Sequence, residues 1–332
     1  MNKESMENIF LQLKEKIEQA ENIIVFSHVS PDGDTLGSNL AISLMIEKYF
    51  NKKVDSTYVG VLPSLYSYLP SFDRFIDVQT IDKTKKYDLA IAVDVASKDR
   101  MVSGTVLFDN AKFKVNIDHH KTNIGYADIN IIDGDAACVG IVLYRIFKAW
   151  NLEIPTDVAR CIYTSLLTDT GGFKYENTTP ETFMLAADLV ALGVSPTFEF
   201  RACYETKPQS MVQFQAYVVS NATFYNSGKI AFAKITRSDM SKFGATDDFT
   251  EGIVEVLRTS KNVEIAAILK ETKEGYTKVS LRSKTVDVTP IVIEFGGGGH
   301  TFAAGCTIKK PIAIAFDKLL KRVQSELEWE II

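Results

Sequence analysis

The sequence predicts an α/β protein in two parts. An N-terminal domain with a parallel sheet flanked by helices is joined by a helical linker to a smaller α/β domain. Three observations carry this. The 332 residues are about twice the roughly 150 of a typical domain. β-rich apolar runs alternate with helix-period patterns through the first half, the mark of a parallel sheet covered by helices. That rhythm breaks near residue 195 and resumes near 225. The expected division is 1–195, a linker 196–225, and 226–332.

Taken in order, Met6, Ile9, Phe10, Leu13 and Ile17 fall at helical spacing, predicting an amphipathic first helix. Acids and lysines interrupt the apolar positions there, which argues against a signal peptide. IIVFSH (23–28) reads as a buried strand that breaks at SPDGD, after which Leu36, Leu40 and Leu44 carry a helix. KVDSTYVG (53–60), YDLAIAVDV (87–95) and FKVNIDHH (113–120) are further strands. CVGIVLYRIFKAW, DVARCIYTSLLTDT and PETFMLAADLVALGV follow as helices. Residues 195–224 lack the alternation and read as connecting helices. KIAFAKIT, VEIAAILKE and YTKVSLRSK are the strands of the second domain, which ends in a Gly-rich turn, FGGGGH, and a helix over 313–328.

Composition narrows the function. Apolar residues make up 46% and charged residues 24%, as in ordinary globular proteins, so disorder and coiled coil fail as global readings. With 37 basic and 42 acidic residues the net charge is −5, against a long basic track for nucleic acid. No apolar run approaches the roughly 18 residues of a membrane-spanning helix. Cys138, Cys161, Cys203 and Cys306 are scattered without paired spacing. They read as small buried thiols in a reducing cytoplasm.

The chain has only four histidines, and they are not randomly placed. His28 ends the first strand and opens His-x-x-x-Asp-x-Asp with Asp32 and Asp34. Asp118, His119 and His120 end another strand, and His300 follows four glycines. Asp94 lies near the C-terminal end of an otherwise apolar strand, where a carboxylate is costly unless paired. Asp169 ends an apolar helix. Each has an ordinary structural explanation taken alone: Asp32-Gly33-Asp34 as a turn with a helix cap, Asp118 as a loop cap, Asp94 paired with a buried arginine. Three strand ends bearing them together favour a site, because parallel sheets form sites outside the carboxyl ends of their strands. Two imidazoles and four carboxylates without thiolate suit Mn²⁺ or Mg²⁺; a closed zinc site would normally use cysteines. Six donors exceed the needs of one ion that must leave room for substrate. They suit two ions in metal-assisted phosphoryl hydrolysis.

At these residues the sequence resembles the DHH phosphoesterase superfamily. HVSPDGDTLGS (28–38), VDVAS (93–97), DHHKTN (118–123) and LLTDTGGFKYENTTPETF (166–183) match its four motifs. FGGGGHTFAAGC (295–306), with VSLRS (279–283) upstream, resembles the DHHA1 substrate-binding domain. The two-domain build is similar to the oligoribonuclease/pAp phosphatase (nanoRNase-like) branch. The resemblance implies that His28 and Asp32 bind one Mn²⁺, that Asp34, His119 and Asp169 bind a second, and that Asp94 bridges both. It implies that His120 faces the substrate phosphate and that Asp118 orients a histidine. In the second domain Gly297, Gly298 and Gly299 would let backbone N–H groups approach the ligand, and His300 and Arg282 would contact a terminal phosphate. The segment after the DHH motif departs from the pattern of relatives at Cys138 and Ile141, and Gly172 stands where an arginine is common.

The implied activity is Mn²⁺-dependent hydrolysis of oligoribonucleotides of about two to five residues, releasing 5′-mononucleotides. With it goes removal of the 3′-phosphate of 3′-phosphoadenosine 5′-phosphate (pAp). A phosphodiesterase for cyclic di-AMP or its linear product pApA is the alternative that the metal motifs do not separate. Inorganic pyrophosphatase fits the C-terminal GGGGH less well, and a single-strand DNA exonuclease of this superfamily would be longer. A non-catalytic nucleotide sensor fits an intact donor set poorly. Relatives often dimerise through the first domain, so a homodimer is also an expectation.

Overall fold

The computed structural model describes residues 3–329. The outer ends of the two expected domains, at 1 and 332, lie outside the described residues. Contacts divide the chain into two compact units, Met1–Thr206 and Lys207–Ile332, a division that falls inside the stretch 196–225.

The first unit runs α1 (Lys3–Gln19), β1 (Asn22–Phe26), α2 (Gly33–Phe50), β2 (Lys53–Tyr58), β3 (Ile76–Asp77), β4 (Leu89–Val93), α3 (Thr105–Asn110), β5 (Phe113–Asp118), β6 (Ile129–Ile132), α4 (Val139–Ala149), α5 (Thr156–Asp169), α6 (Pro180–Ala191) and α7 (Pro196–Tyr204). Its sheet is parallel throughout, in the order β3-β2-β1-β4-β5-β6. The strands are nearly all apolar because both faces are covered. Ile23 and Val25 of β1 join a core with Leu13, Leu40, Ile146 and Ile162 from α1, α2, α4 and α5. Ile24 and Phe26 point the other way, against Ala90, Ala92, Leu107 and Phe108. From β1 the chain builds outward to β3, then returns to place β4 on the other side of β1, with Ile23 opposite Leu89. That reversal makes a crevice at the carboxyl ends of β1 and β4, the usual position of a site in an open α/β sheet.

The second unit runs α8 (Gln209–Ser220), β7 (Thr223–Tyr225), β8 (Ile230–Ile235), α9 (Arg237–Phe243), α10 (Ile253–Arg258), β9 (Ile265–Glu271), β10 (Thr277–Ser283), α11 (Thr289–Glu294), β11 (Gly298–His300), β12 (Ala303–Ile308) and α12 (Ile312–Trp329). Its mixed sheet is ordered β11-β12-β10-β9-β8-β7, with only β8 and β9 parallel. α11 and α12 bury one face through Ile291, Phe316 and Leu319, and α8, α9 and α10 pack on the other through Phe214, Met240 and Leu257.

Several elements differ from the sequence reading. The glycine run is not only a turn: Gly298, Gly299 and His300 form an edge strand opposite Gly305, Ala304 and Ala303. Without side chains to signal alternation, glycines hide a strand from pattern analysis. β3, β6, the short β7, β12 and the helices α3, α9, α10 and α11 were likewise absent from the sequence reading. No single helix among the described residues is long and apolar enough to cross a membrane. All four cysteines are free and buried.

Close packing of α2 on α5 depends on Gly37, where a Cβ would meet the Cys161 carbonyl oxygen at 2.5 Å. Alanine would gain about 1 kcal/mol of helix propensity. It would also force two backbones apart, and overpacking costs about 1–3 kcal/mol, at the upper end when the obstacle is main chain. Gly37→Ala is therefore expected to destabilise the protein by roughly 1–2 kcal/mol in urea denaturation. An unchanged or raised midpoint would contradict this packing.

Candidate metal centre

The crevice is built from five places in the first unit. His28 follows β1, Asp32 and Asp34 open α2, Asp94 follows β4, Asp118 ends β5 with His119 and His120 after it, and Asp169 ends α5. Their donor atoms form three close groups: His28, Asp32 and Asp94; Asp34, His119 and Asp169; and Asp94, His119 and His120. All six residues expected from sequence as ligands are among them, and Asp94 and His119 link the groups.

The two imidazoles are held in matching ways. His28 Nδ1 donates to the Val29 carbonyl at 2.9 Å and His119 Nδ1 to the Ala136 carbonyl at 3.2 Å. Each ring thereby presents Nε2 to carboxylates, as metal-binding histidines do. His28 Nε2 lies 3.3 Å from Asp94 Oδ2. His119 Nε2 lies 3.2 Å from Asp169 Oδ2, 3.6 Å from Asp34 Oδ2 and 3.6 Å from Asp94 Oδ1. Asp94 Oδ2 also accepts from the Thr35 hydroxyl, whereas buried Asp94 Oδ1 has no hydrogen-bond partner. A buried anionic oxygen without a donor is costly, and a divalent cation bound there would satisfy it. The donor set fits such ions on that observation.

Asp34 is fully buried. Its Oδ1 accepts from Ser165 at 2.6 Å and Ser38 at 3.0 Å, and its Oδ2 from the Val139 N–H at 2.9 Å. Asp32 caps α2, accepting from the Thr35 N–H at 3.1 Å, so the cap and the candidate ligand are one residue. Asp118 is spent on its neighbours: Oδ1 accepts from His120 Nδ1 at 2.8 Å and Oδ2 from the Asn123 amide. Asn177 donates to the carbonyls of Asp169 and Ala137, both at 3.1 Å, tying the end of α5 to the loop before α4. Thr35, Ser38, Ser165, Asn123 and Asn177 were missed in the sequence. Thr35, Ser38, Asn123 and Asn177 lie inside the quoted motifs without a role read for them, and Ser165 stands out only as a serine within an apolar helix.

Charge follows geometry. Burial, then the charge of Asp94, pushes the Asp34 carboxyl up to about 7. Burial and the charges of Asp34 and Asp94 lift Asp169 well above the usual range. Burial also acts against ionisation of Asp94, but the hydrogen bond and charge of His28 and the charge of His119 outweigh it and hold that carboxyl low. The hydrogen bond to Asp118 raises the His120 imidazole.

In the second unit, Arg282 and Gly298 line one groove of about 800 Å³ with Lys278, Ser280, Thr307 and Lys309. Arg282 Nε donates to Glu255 Oε1 at 2.8 Å, and Nη1 to the Leu281 carbonyl at 2.9 Å. A Cβ at Gly297 would meet the Gly305 carbonyl oxygen at 2.3 Å, and one at Gly299 would meet the Ala304 Cα at 2.5 Å, while Gly298 faces open space. Two of the three glycines thus serve the approach of β11 to β12, and Gly298 serves the groove. His300 is exposed at the end of β11.

The raised Asp34 carboxyl sets a pH dependence. The folded state holds its proton more tightly than the unfolded chain does. The associated stability is present below about pH 4 and is lost as pH rises toward about 7. A divalent ion held by Asp34 would take the place of that proton. The increase in Tm produced by Mn²⁺ is therefore expected to be larger at about pH 8 than at about pH 5.5; equal increases would contradict the reading.

Comparison with known proteins agrees with this geometry. Residues 22–166 match the DHH family, N-terminal domain, and residues 227–328 match the DHHA1 domain. The chain is 30% identical over 307 residues to the bifunctional oligoribonuclease and PAP phosphatase NrnA of Thermus thermophilus, covering 92% of this chain and 90% of that one. It is 27% identical to the protein of the same name from Bacillus subtilis, covering 87% and 90%. The crystal structure of an exopolyphosphatase-related protein from Bacteroides fragilis superposes with a TM-score of 0.88 at 25% identity, over 97% of this chain and 96% of that one. With the motifs, both domain matches and a relative aligned along nearly its whole length, the chain belongs to the DHH–DHHA1 family and is a phosphoesterase.

Proposed function

We propose that this phosphoesterase is a Mn²⁺-dependent enzyme that degrades short oligoribonucleotides to 5′-mononucleotides and converts pAp to AMP. The observation that carries the reading is the pair of donor groups, His28–Asp32–Asp94 and Asp34–His119–Asp169, beside an Asp94 oxygen that no protein donor satisfies. Relatives named as oligoribonuclease and PAP phosphatase support the substrate class. Four buried free thiols accord with a reducing cytoplasm.

When bound, two divalent ions neutralise charge on the phosphoryl group and acidify water for in-line attack. The protein's own residues do the rest. His28 and His119, locked through Nδ1, keep Nε2 turned toward the carboxylates. Asp94 serves both donor groups. His120, oriented by Asp118, faces the reacting phosphate, where it steadies the charge that develops on oxygen. Arg282, Gly298 and His300, with the lysines of the groove, contact a phosphate or a base of the substrate.

The decisive experiment compares pAp, a short oligoribonucleotide, pApA and cyclic di-AMP side by side with Mn²⁺, with the products resolved. Fastest turnover of pAp and the oligoribonucleotide is expected. A tenfold preference for pApA or cyclic di-AMP, about 1.4 kcal/mol at the transition state, would overturn the substrate assignment and make this a signalling phosphodiesterase. Asp94→Ala is expected to leave less than about 1% of wild-type activity, since even residues that only support ligands are worth 10–100-fold. Near-normal turnover would remove the two-ion assignment. His300→Ala is expected to raise KM several-fold while Mn²⁺ affinity stays unchanged, as for a residue that binds substrate and is not a metal ligand.

A further inference from the structure

Asp94 lies one residue beyond β4 with φ +57°, in the left-handed region that non-glycine residues seldom occupy. Such a conformation persists where the surroundings hold it, and two clamps do so here. On one side the Asp94 N–H donates to the Ile117 carbonyl at 3.0 Å. On the other, the next carbonyl, that of Val95, receives three side-chain donors: the Tyr126 hydroxyl at 2.8 Å, and the Asn116 and Asn123 amides at 3.3 Å each.

The three donors are themselves joined. Asn116 Nδ2 donates to the Tyr126 hydroxyl at 3.0 Å, and Asn123 Nδ2 to Asn116 Oδ1 at 2.7 Å. Asn123 also reaches Asp118, which holds His120. One network thus runs from Tyr126 to the main chain next to Asp94 and, through Asn123 and Asp118, to the His120 imidazole.

We propose that Tyr126 is a positioning residue for the metal centre. Its hydroxyl, acting with Asn116 and Asn123 on the Val95 carbonyl, fixes the direction of the Asp94 carboxylate that the donor groups share. This rests on the metal reading given above. Tyr126 touches none of the candidate ligands itself. Its ring packs edge-on against Phe108 at 5.7 Å, a contact that phenylalanine retains, so Tyr126→Phe isolates the hydroxyl.

The test is Mn²⁺ titration calorimetry on the full chain, with kinetics and melting curves alongside. Tyr126→Phe is expected to weaken Mn²⁺ binding about tenfold, within the 10–100-fold range typical of residues that orient ligands. It should lower kcat with KM changed less than about twofold, because an orienting role acts on the chemical step. Its melting temperature in EDTA should fall by a few degrees at most. Phe108→Leu disturbs the same packing without touching the hydroxyl. It is expected to lower the melting temperature while Mn²⁺ affinity stays at the wild-type value. Wild-type Mn²⁺ affinity in Tyr126→Phe overturns this inference alone, as does an equal loss of affinity in Phe108→Leu. A wild-type protein that takes up no Mn²⁺ overturns the metal reading and this inference with it.

Discussion

Five carboxylates gathered at one end of the parallel sheet repel one another, and the first unit is arranged around that repulsion. At an effective dielectric constant of about 20, two unit charges 4 Å apart cost about 4 kcal/mol. Five of them in one crevice would open it unless each were answered. Asp118 is answered by His120 and Asn123, and Asp34 by two serines and a main-chain N–H. Asp94 is answered on one oxygen by His28 and Thr35 and on the other by no hydrogen bond. The unmet demand is concentrated at the residue that serves two donor groups, which is where a hydrolase needs cations.

Rigid elements supply the precision this requires. His28, Asp94 and Asp118 leave adjacent strands whose register is set by parallel pairing, Val25 with Ile91 and Ile91 with Val115. Asp34 and Asp169 come from helices pressed together at a glycine. Main-chain carbonyls then aim both imidazoles, so ring orientation follows from backbone placement. Asp32 combines a helix cap with a place in the donor set, which gives the start of α2 and the centre a common dependence on one side chain.

The second unit works by different means. Its groove has a floor of small residues on β12 and β11, flanked by cationic side chains on β10. Two glycines exist for strand approach and one for access. Glu255 holds Arg282 by one nitrogen, orienting the guanidinium fork while lowering its local excess of positive charge.

How much was legible follows from the range of each interaction. Hydrophobic period and turn residues are local, so the alternating strands and helices, the strand ends bearing His28, Asp94 and Asp118, and the helix ending at Asp169 could all be read along the chain. The grouping of those residues followed from one general rule about parallel sheets. The glycine strand escaped because glycine carries no pattern. The left-handed turn at Asp94 escaped because tertiary hydrogen bonds hold a conformation its own residue type disfavours. Supporting groups were the least legible. Ser165 reaches Asp34 across 131 positions of sequence, and no local signal encodes such a pairing. The sequence by itself determined most elements of the first unit, the histidines and carboxylates that end its strands, and the family. Only the tertiary structure decided which oxygen of which carboxylate is left unsatisfied, because that depends on donors brought together by packing from distant parts of the chain.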